Sequence, residues 1–558
     1  MSYADKPWLK SYKMGPFKLP QTMAPYPEIS IYQFLEDSAK DYPDNTAIVY
    51  LDKSLTYSQL KLQVDKLATA LAELGVKKGD SVATVLPNCL EFVICDYAIM
   101  RLGAIHVPIS VLHRKDDLLY ELGESKPNTI ISSYRRVERV MSIADQIKFK
   151  NLIYVPVSIF PDYTVPKIKD VPDDAIRLED LIANYEPNPP EVKINPKEDM
   201  ALLPFTGGTT GLPKGTMITH YNVTCDIRQV LHWMLHPLKA GVKGKSSIIA
   251  CVPMFHQFGH FALHGAISWG LRLFIMDPRD IDRIVETIIE NRPFMVLGVP
   301  THFTYLLNKQ LPRMQVFFYS AAAALPVEVA EQMEKKSGIP MGEGYGATET
   351  CGGTHINLSA FSKVTGFMAS VKKASIGVPV PDTDVKIVDL ETGEEVPFGE
   401  SGEIWIHGPQ VMKGYWPTPG KGLVDGWLPT GDVAKMDEDG YFYIVDRIKD
   451  MINVSGNKVY SRVVDEVIHD HPAVSSVGVI GIPDPKRIGS ERVKAFIALK
   501  PESRGKVTEE EIIEFCKEKL PPYAVPKEVE FRKSLPLTLV MKINKKKLRE
   551  EEEAKGKD

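Results

Sequence analysis

The stretch Thr206-Gly207-Gly208-Thr209-Thr210-Gly211-Leu212-Pro213-Lys214-Gly215 decides how the chain reads. The apolar run Ala201–Phe205 precedes it and reads as a strand. Glycines let a backbone approach phosphate oxygens and turn its N–H groups toward them. Threonine hydroxyls add donors, and a lysine adds positive charge. A glycine-rich hairpin is the plainer alternative, but a hairpin needs only two or three such residues. The pattern is not the P-loop of NTPases, which joins Gly to Lys and follows them with Ser or Thr; here Lys214 follows Pro213. Gly244-Lys245-Ser246 imitates that ending, but the earlier glycine it requires falls on Lys239.

Upstream of this loop, helix and strand signals alternate. Ile31, Phe34 and Leu35 stand at helical spacing, and Ala47–Tyr50 follows as a short apolar strand. Ser58 reads as the cap of a helix carrying Leu60, Val64, Leu67, Ala68 and Leu71 and closed by Gly75. Ser81–Leu86 and Ile105–Ile109 read as buried strands on either side of a helix through Val93, Tyr97 and Met100. Downstream, the same alternation recurs in Ser247–Val252, Ile281–Asn291, Phe294–Val299, Val316–Ser320 and Val327–Lys336. Two α/β sheets before residue 350 follow from it.

From about 375 to 446 the texture changes to short alternating segments, Val385–Val388, Gly402–His407 and Tyr441–Val445, which read as a small β-barrel or antiparallel sheet. After Asp446 a mixed region begins, with helices at Val463–His469 and Glu509–Lys519 and strands at Val474–Ile480 and Val493–Leu499. A chain of 558 residues exceeds one hydrophobic core. The expected fold class is α/β. A large N-terminal domain, 1–448, holds two α/β subdomains plus the small β-barrel, and a small mobile α+β C-terminal domain, 449–558, follows.

Gly342-x-Gly344-x-x-Ala347 imitates a dinucleotide fingerprint. No strand-like run leads into it, and no acidic residue lies about twenty positions on. It continues instead as Tyr345-Gly346-Ala347-Thr348-Glu349-Thr350, and a glutamate between threonines suits Mg²⁺ on a phosphate.

Composition removes other classes. Hydrophobic residues make up 44% and charged residues 25%, and 67 Lys+Arg against 72 Asp+Glu leave a net charge of −5. A nucleic-acid binder would show a basic balance or face. The one dense charge run, Lys545–Lys547 with Glu550–Glu553, reads as a solvated helix end. The six cysteines show no CxxC pairing and read as reduced, buried thiols. No segment approaches 18 unbroken apolar residues, and Met1–Lys18 has no apolar signal-peptide core. The expected location is cytoplasmic. The expected partners are small molecules, with no nucleic acid and no integral membrane segment, and nothing argues against a homodimer.

The phosphate loop, Gly344–Thr350, Thr430-Gly431-Asp432, Asp446-Arg447-Ile448-Lys449-Asp450 and Pro536–Leu548 occur in one order. Together they resemble the adenylate-forming superfamily of acyl-CoA synthetases, peptide-synthetase adenylation domains and beetle luciferases, from about residue 30 to 550. Gly402–Gly408, Gly414-Tyr415-Trp416, Leu55-Thr56-Tyr57 and Pro522-Tyr523 fit the same pattern. The resemblance implies ATP and coenzyme A as substrates and Mg²⁺ as cofactor. Thr206, Gly207, Gly208, Thr209, Thr210, Gly211 and Lys214 would grip the phosphates. Ala322, within Ala321–Leu325, together with Gly344, Tyr345 and Gly346, would surround adenine. Thr348 would touch the α-phosphate, and Glu349 with Thr209 would hold Mg²⁺. Asp432 would accept bonds from the ribose hydroxyls, Arg447 would reach the ribose, and Lys449 would be the hinge. Lys542 would bridge the substrate carboxylate and the α-phosphate, where an ammonium stabilises the anionic transition state. Gly207 stands where the family has serine, and Met541 where a glycine precedes the lysine.

Pro253–His260 resembles the segment flanking the acyl pocket, with His256 as its gate. Phe258, Ala321, Ala323 and Gly352 would line the pocket, and small residues leave room for a chain. No aspartate stands between Met254 and His264 to bind an α-amine, which argues against an amino acid. Gly346 replaces the tryptophan that closes acetate-specific pockets. Ser455 and Gly456 match the loop lining the pantetheine tunnel after domain rotation. The overall texture is similar to fatty acyl-CoA ligases, so the expected acid is a medium- or long-chain fatty acid. An aryl acid such as benzoate or coumarate is the alternative.

Overall fold

The computed structural model describes residues 2–156, 171–206, 212–364, 371–487, 489–538 and 542–555. Gly207, Gly208, Thr209, Thr210, Gly211 and Met541 lie outside the described residues.

Two nine-stranded sheets form the body of the chain. In the first, Ile105–Pro108, Ser81–Val85, Thr129–Ser133 and Asn151–Val155 run parallel. Val82, Val107, Ile130 and Ile153 on them are fully buried, which is why these strands read as apolar runs rather than alternations. In the second, Gly342–Tyr345, Phe317–Ser320, Met295–Gly298, Ser247–Ala250, Arg272–Ile275 and Thr46–Tyr50 run parallel in that order. Thr46–Tyr50, with its antiparallel partner Lys53–Thr56, thus joins the second sheet although the strands that follow from Ser81 build the first. Pairing between distant strands leaves no trace in local periodicity. Gly342–Tyr345 is itself a strand, although no apolar run announces it.

Helices Leu90–Arg101 and Gln257–Ser268 lie in the interior, the first against strands of both sheets. Nearly every residue of each is buried, as expected of helices without a polar face. Helix Tyr57–Glu73 begins earlier than its expected cap. Thr56, not Ser58, accepts the Gln59 N–H, and the Gln59 side chain returns to the Thr56 N–H at 2.9 Å. The Ser58 hydroxyl donates to the Pro43 carbonyl instead.

Asp384–Val388, Gly402–His407, Leu428–Met436 and Phe442–Arg447 form a four-stranded antiparallel sheet. Beyond it, Val474–Pro483, Glu491–Leu499 and Glu528–Arg532 form a three-stranded sheet flanked by helices Ser461–His469, Glu509–Lys517 and Lys545–Lys555. Val464, Ile468, Val479, Ile497 and Ile512 make a core here that is separate from the larger ones. The Lys545–Glu553 charge run is not simply solvated. Lys545 pairs with Asp465 at 2.7 Å, Glu552 with Lys494 at 2.8 Å, and Leu548 between them is buried. Ion pairs of this part with the body run from Lys458 to Glu391 (2.7 Å) and from Lys500 to Glu328, beside which His469 lies.

All six cysteines are free and buried. Among the described residues no helix is long and apolar enough to cross a membrane.

Candidate active site

Strand Leu428–Met436 carries Asp432 opposite Arg447 on Phe442–Arg447, so the ladder itself sets the pair. The Arg447 guanidinium lies 3.2 Å from one Asp432 carboxylate oxygen, and the Tyr345 hydroxyl donates to the other at 2.8 Å. Burial, reinforced by the Asp432 charge, pushes the Tyr345 phenol well above its usual range, so it stays a donor. Tyr345 ends the strand Gly342–Tyr345, where a side chain at Gly344 would collide with the Tyr319 hydroxyl. The segment Ala321–Leu325 is tied to this strand by the Leu325 N–H, which donates to Glu343 at 3.2 Å. Burial raises Glu343 to about 7. Ala321, Ala322 and Ala323 are half-buried along this segment, and Ala322 takes a φ of 69°.

Thr348 and Glu349 lie in a single 3₁₀ turn, Thr348–Thr350. The Tyr415 hydroxyl donates to Glu349 at 2.7 Å, and the Tyr415 ring sits 4.8 Å from the Lys214 ammonium. Tyr415 therefore links the glutamate to the basic end of the glycine-rich loop. Its strand Gly414–Tyr415 pairs with Lys214–Thr219. The loop closes a hairpin in which Thr206 faces Lys214 and Phe205 faces Gly215. A strand, Lys214–Thr219, follows the glycine-rich stretch where a P-loop has a helix.

Lys542 approaches this cluster from the C-terminal part. Its backbone is braced: the Thr538 N–H donates to the Lys542 carbonyl at 2.7 Å, and the Lys542 N–H donates to the Thr538 hydroxyl at 3.1 Å. Burial, then the Arg447 charge, lowers its ammonium to about 7; Asp432 pulls the other way and Lys449 adds to the fall. His256 lies within electrostatic reach of Lys542, and burial foremost lowers it to about 3. It is a neutral imidazole whose Nδ1 accepts the Phe258 N–H at 3.3 Å, capping helix Gln257–Ser268. That bond puts the ring proton on Nε2. Lys449, in the 3₁₀ turn Ile448–Asp450, is also lowered, by burial and then by Arg447.

Phe258 is buried on the same helix. A small apolar cavity of about 10 Å³ lies against the same helix, walled by Val230, Leu231, Leu235, Phe261, Gly265 and Tyr319. Phe261 borders Gly352, and Tyr319 borders Gly344, so the cavity meets the cluster at those glycines. Its wall includes the widened π-helical turn Arg228–His232, a feature often found at functional sites. A larger cleft, about 190 Å³, runs along helix Ile281–Asn291 and is lined by none of the site residues. Gly346 acts differently from the expectation that it keeps the pocket open. A side chain there would overlap the Gly352 carbonyl, so backbone already fills that space.

One residue beside Gly352 is marked by no sequence motif. Asp226 donates nothing to the sequence motif, yet its carboxylate accepts the Gly353 N–H at 3.0 Å and lies against Gly352. Burial raises it well above the carboxylate range. Asp226 comes from helix His220–Ile227, outside the stretch Met254–His264. Ser455 and Gly456 are not gathered into the cluster. They form the exposed turn of hairpin Ile452–Val454/Asn457–Val459, with φ of 52° and 88°.

The family model described as AMP-binding enzyme matches residues 35–416, and that of the AMP-binding enzyme C-terminal domain matches 463–542. A long-chain-fatty-acid–CoA ligase of Bacillus subtilis (strain 168) is 36% identical, with 98% of each chain covered. One of Escherichia coli O6:H1 is 34% identical, with 99% of each covered. Among solved structures, an anthranilate CoA ligase in complex with anthranoyl-AMP superposes with a TM-score of 0.83, 24% identity and full coverage of both chains. A benzoate CoA ligase from Burkholderia xenovorans LB400 gives 0.81 at 24%, covering 93% of this chain and all of that one. These two show the shared fold. The chain belongs to the AMP-binding enzyme family, whose members form adenylates.

Proposed function

We infer that the chain is an AMP-forming acid–thiol ligase, an acyl-CoA ligase for medium- or long-chain fatty acids. A carboxylate oxygen of the acid attacks the α-phosphorus of ATP, and pyrophosphate leaves. The thiol sulfur of coenzyme A then attacks the acyl carbon of the adenylate, and AMP leaves with the carboxylate oxygen. The full-length similarity to long-chain-fatty-acid–CoA ligases supports this reading.

The apolar cavity beside Gly352 carries the choice of acid. From His256 to Ala266 the helix rises ~15 Å. An extended alkyl chain advances ~1.2 Å per bond, by the geometry that gives a three-bond residue 3.3–3.6 Å. The wall therefore matches the length of about a dozen carbons, which would enter by parting the apolar side chains that now close the cavity to about 10 Å³.

The roles follow from the chemistry of the residues. Asp432, offering acceptors only, takes the ribose hydroxyls, with Arg447 and Tyr345 fixing its two oxygens. Thr206, Lys214 and the glycine-rich loop hold the phosphates, and Thr348 holds the α-phosphate. Tyr345 and Ala321–Ala323 flank the base. Glu349 and Thr209 would hold Mg²⁺; a single carboxylate beside phosphate oxygens suits an ion that keeps much of its water shell. When bound, the ion supplies charge neutralisation at the phosphates. Lys542 supplies the cation between the carboxylate and the α-phosphate. His256 is neutral and so shapes the pocket mouth without competing for the carboxylate. The large domain ends at 448, and residues 449–558 turn about Lys449 to bring Ser455 and Gly456 toward the thiol. The enzyme works in the cytoplasm, where ATP and coenzyme A are available.

Incubation with Mg-ATP, coenzyme A and a panel of acids from acetate to palmitate, with benzoate and coumarate, tests this by product mass. An aliphatic acyl-CoA series peaking at six or more carbons is expected. Aryl-CoA alone would overturn the choice of acid, and acyl-AMP without acyl-CoA would overturn the choice of acceptor.

A further inference from the structure

Two walls of the apolar cavity meet at one short segment beside Glu349. The loop from Tyr345 to Thr354 is closed at its base by the Thr354 N–H, which donates to the Tyr345 carbonyl at 2.8 Å. Thr348 and Glu349 stand on its first limb, and Cys351, Gly352 and Gly353 make the second. Gln257, in the first turn of helix Gln257–Ser268, donates from Nε2 to the Cys351 carbonyl at 2.7 Å. Asp226, near the end of helix His220–Ile227, accepts the Gly353 N–H at 3.0 Å. Both side chains are buried. The helix of Asp226 runs straight on into the π-helical turn Arg228–His232.

Each hydrogen bond belongs to a different wall. Phe261 and Gly265 line the cavity from the helix of Gln257, and Val230 and Leu231 line it from the turn that follows Asp226. Packing repeats the arrangement. A Cβ at Gly352 would meet Asp226 Oδ2 at 2.6 Å and Phe261 Cδ2 at 3.3 Å, and one at Gly353 would meet Val230 Cγ2 at 2.8 Å. The segment is thus clamped between the two surfaces that an alkyl chain must part, since the cavity now holds about 10 Å³. Cys351 sits in the left-handed region at φ 61°, a costly conformation for a residue with a Cβ, and its surroundings hold it there. Asp226 Oδ2 and Gln257 Oε1 are buried without a hydrogen-bond partner among the described residues, whereas a wall packed for stability alone pairs such atoms.

We propose that Gln257 and Asp226 are positioning residues that make the rate of adenylate formation depend on how far the alkyl chain fills the cavity. The proposal rests on the fatty-acid reading above. Each residue acts through the segment it holds. A long chain separates helix Gln257–Ser268 from turn Arg228–His232, and the two hydrogen bonds carry that displacement to the second limb of the loop. The closed base passes it on to the turn Thr348–Thr350. Glu349 is tied on its other side, its carbonyl accepting the Met412 N–H at 2.8 Å and its carboxylate the Tyr415 hydroxyl at 2.7 Å. A small shift of the second limb therefore resets the angle at which Thr348 and Glu349 meet the phosphates. A short acid reaches the carboxylate position but leaves the walls together. Binding energy from the remote end of the chain then appears in the chemical step and not in affinity alone.

Single-turnover formation of acyl-AMP, with Mg-ATP and without coenzyme A, separates the limiting rate from the half-saturating acid concentration. From butanoate to dodecanoate the wild-type limiting rate should rise at least ~10-fold. Gln257→Met and Asp226→Leu keep a side chain of similar shape and remove one hydrogen bond each. In both, the dodecanoate-to-butanoate ratio of limiting rates should fall at least ~3-fold, while the ratio of half-saturating concentrations, set by the cavity lining, stays within ~3-fold of wild type. Asp226→Asn, whose amide oxygen still accepts the Gly353 N–H, should keep the wild-type ratio of rates. Variants that lower the rates for both acids alike would show a merely structural role and overturn the proposal. A wild-type limiting rate independent of chain length would overturn it too, and that measurement decides even where a variant fails to fold. No adenylate from any aliphatic acid would strike the fatty-acid reading and this inference with it, whereas adenylate formed at rates that ignore chain length would strike the inference alone.

Discussion

Replacing Lys542 by arginine should flatten the pH dependence of adenylate formation. In this arrangement burial, with Arg447 and Lys449 close by, brings the Lys542 ammonium down to about 7. The proposed role needs the cation, so activity is present below that pKa and lost as pH rises through it. At pH 8 about one lysine in eleven is charged, and kcat/KM for acid-dependent ATP–pyrophosphate exchange falls ~10-fold per pH unit above 7. Bound ATP is anionic and raises the pKa again, so the matching limb in kcat lies at higher pH. Arginine stays charged throughout, and the limb attributable to residue 542 disappears. Its absolute rate is lower, because a planar guanidinium does not reproduce a compact ammonium. The ionisation of ATP is common to both proteins and cancels in the comparison. Stopped assays between pH 6 and 9 read the result. A wild-type profile without the limb, or the same limb in the arginine variant, would refute the reasoning.

Two further predictions concern the same machinery. Lys542→Ala should lose exchange by at least ~100-fold yet still form thioester from supplied acyl-AMP, since the cation serves the first transition state alone; equal loss of both half-reactions would sink the two-orientation account. Gly265→Leu places a Cβ 3.1 Å from Leu231 Cδ2 and fills the cavity behind it. Excluding four methylenes at ~0.8 kcal/mol each withholds ~3 kcal/mol, so kcat/KM should drop more than about 100-fold for palmitate and little for hexanoate. A parallel decline for both acids would place the alkyl chain elsewhere.

Much of this was legible in the sequence, for identifiable reasons. Buried parallel strands such as Ser81–Val85 and Met295–Gly298 announce themselves as apolar runs, and helix Ile281–Asn291 by its spacing. Asp432, Arg447, Glu349 and Lys542 sit in motifs whose order carries their meaning. What stayed hidden depends on contacts between distant segments. Thr46–Tyr50 crosses to the second sheet, Gly342–Tyr345 becomes a strand through its neighbours, and Asp226 meets Gly353 from 127 positions away.

The brace around Lys542 has a kinetic consequence. Thr538 holds its backbone at both ends of the loop, and the Leu537–Ile543 bridge closes the base. Its side chain keeps its own torsions, but the Lys542 backbone moves only with the segment that carries it. In the proposed rotation about Lys449 it leaves with the C-terminal body, a motion through solvent of microseconds to milliseconds. Solvent friction, which does not touch bond making at phosphorus, therefore enters the turnover time, and a viscous medium should slow the passage between the two half-reactions more than either reaction itself.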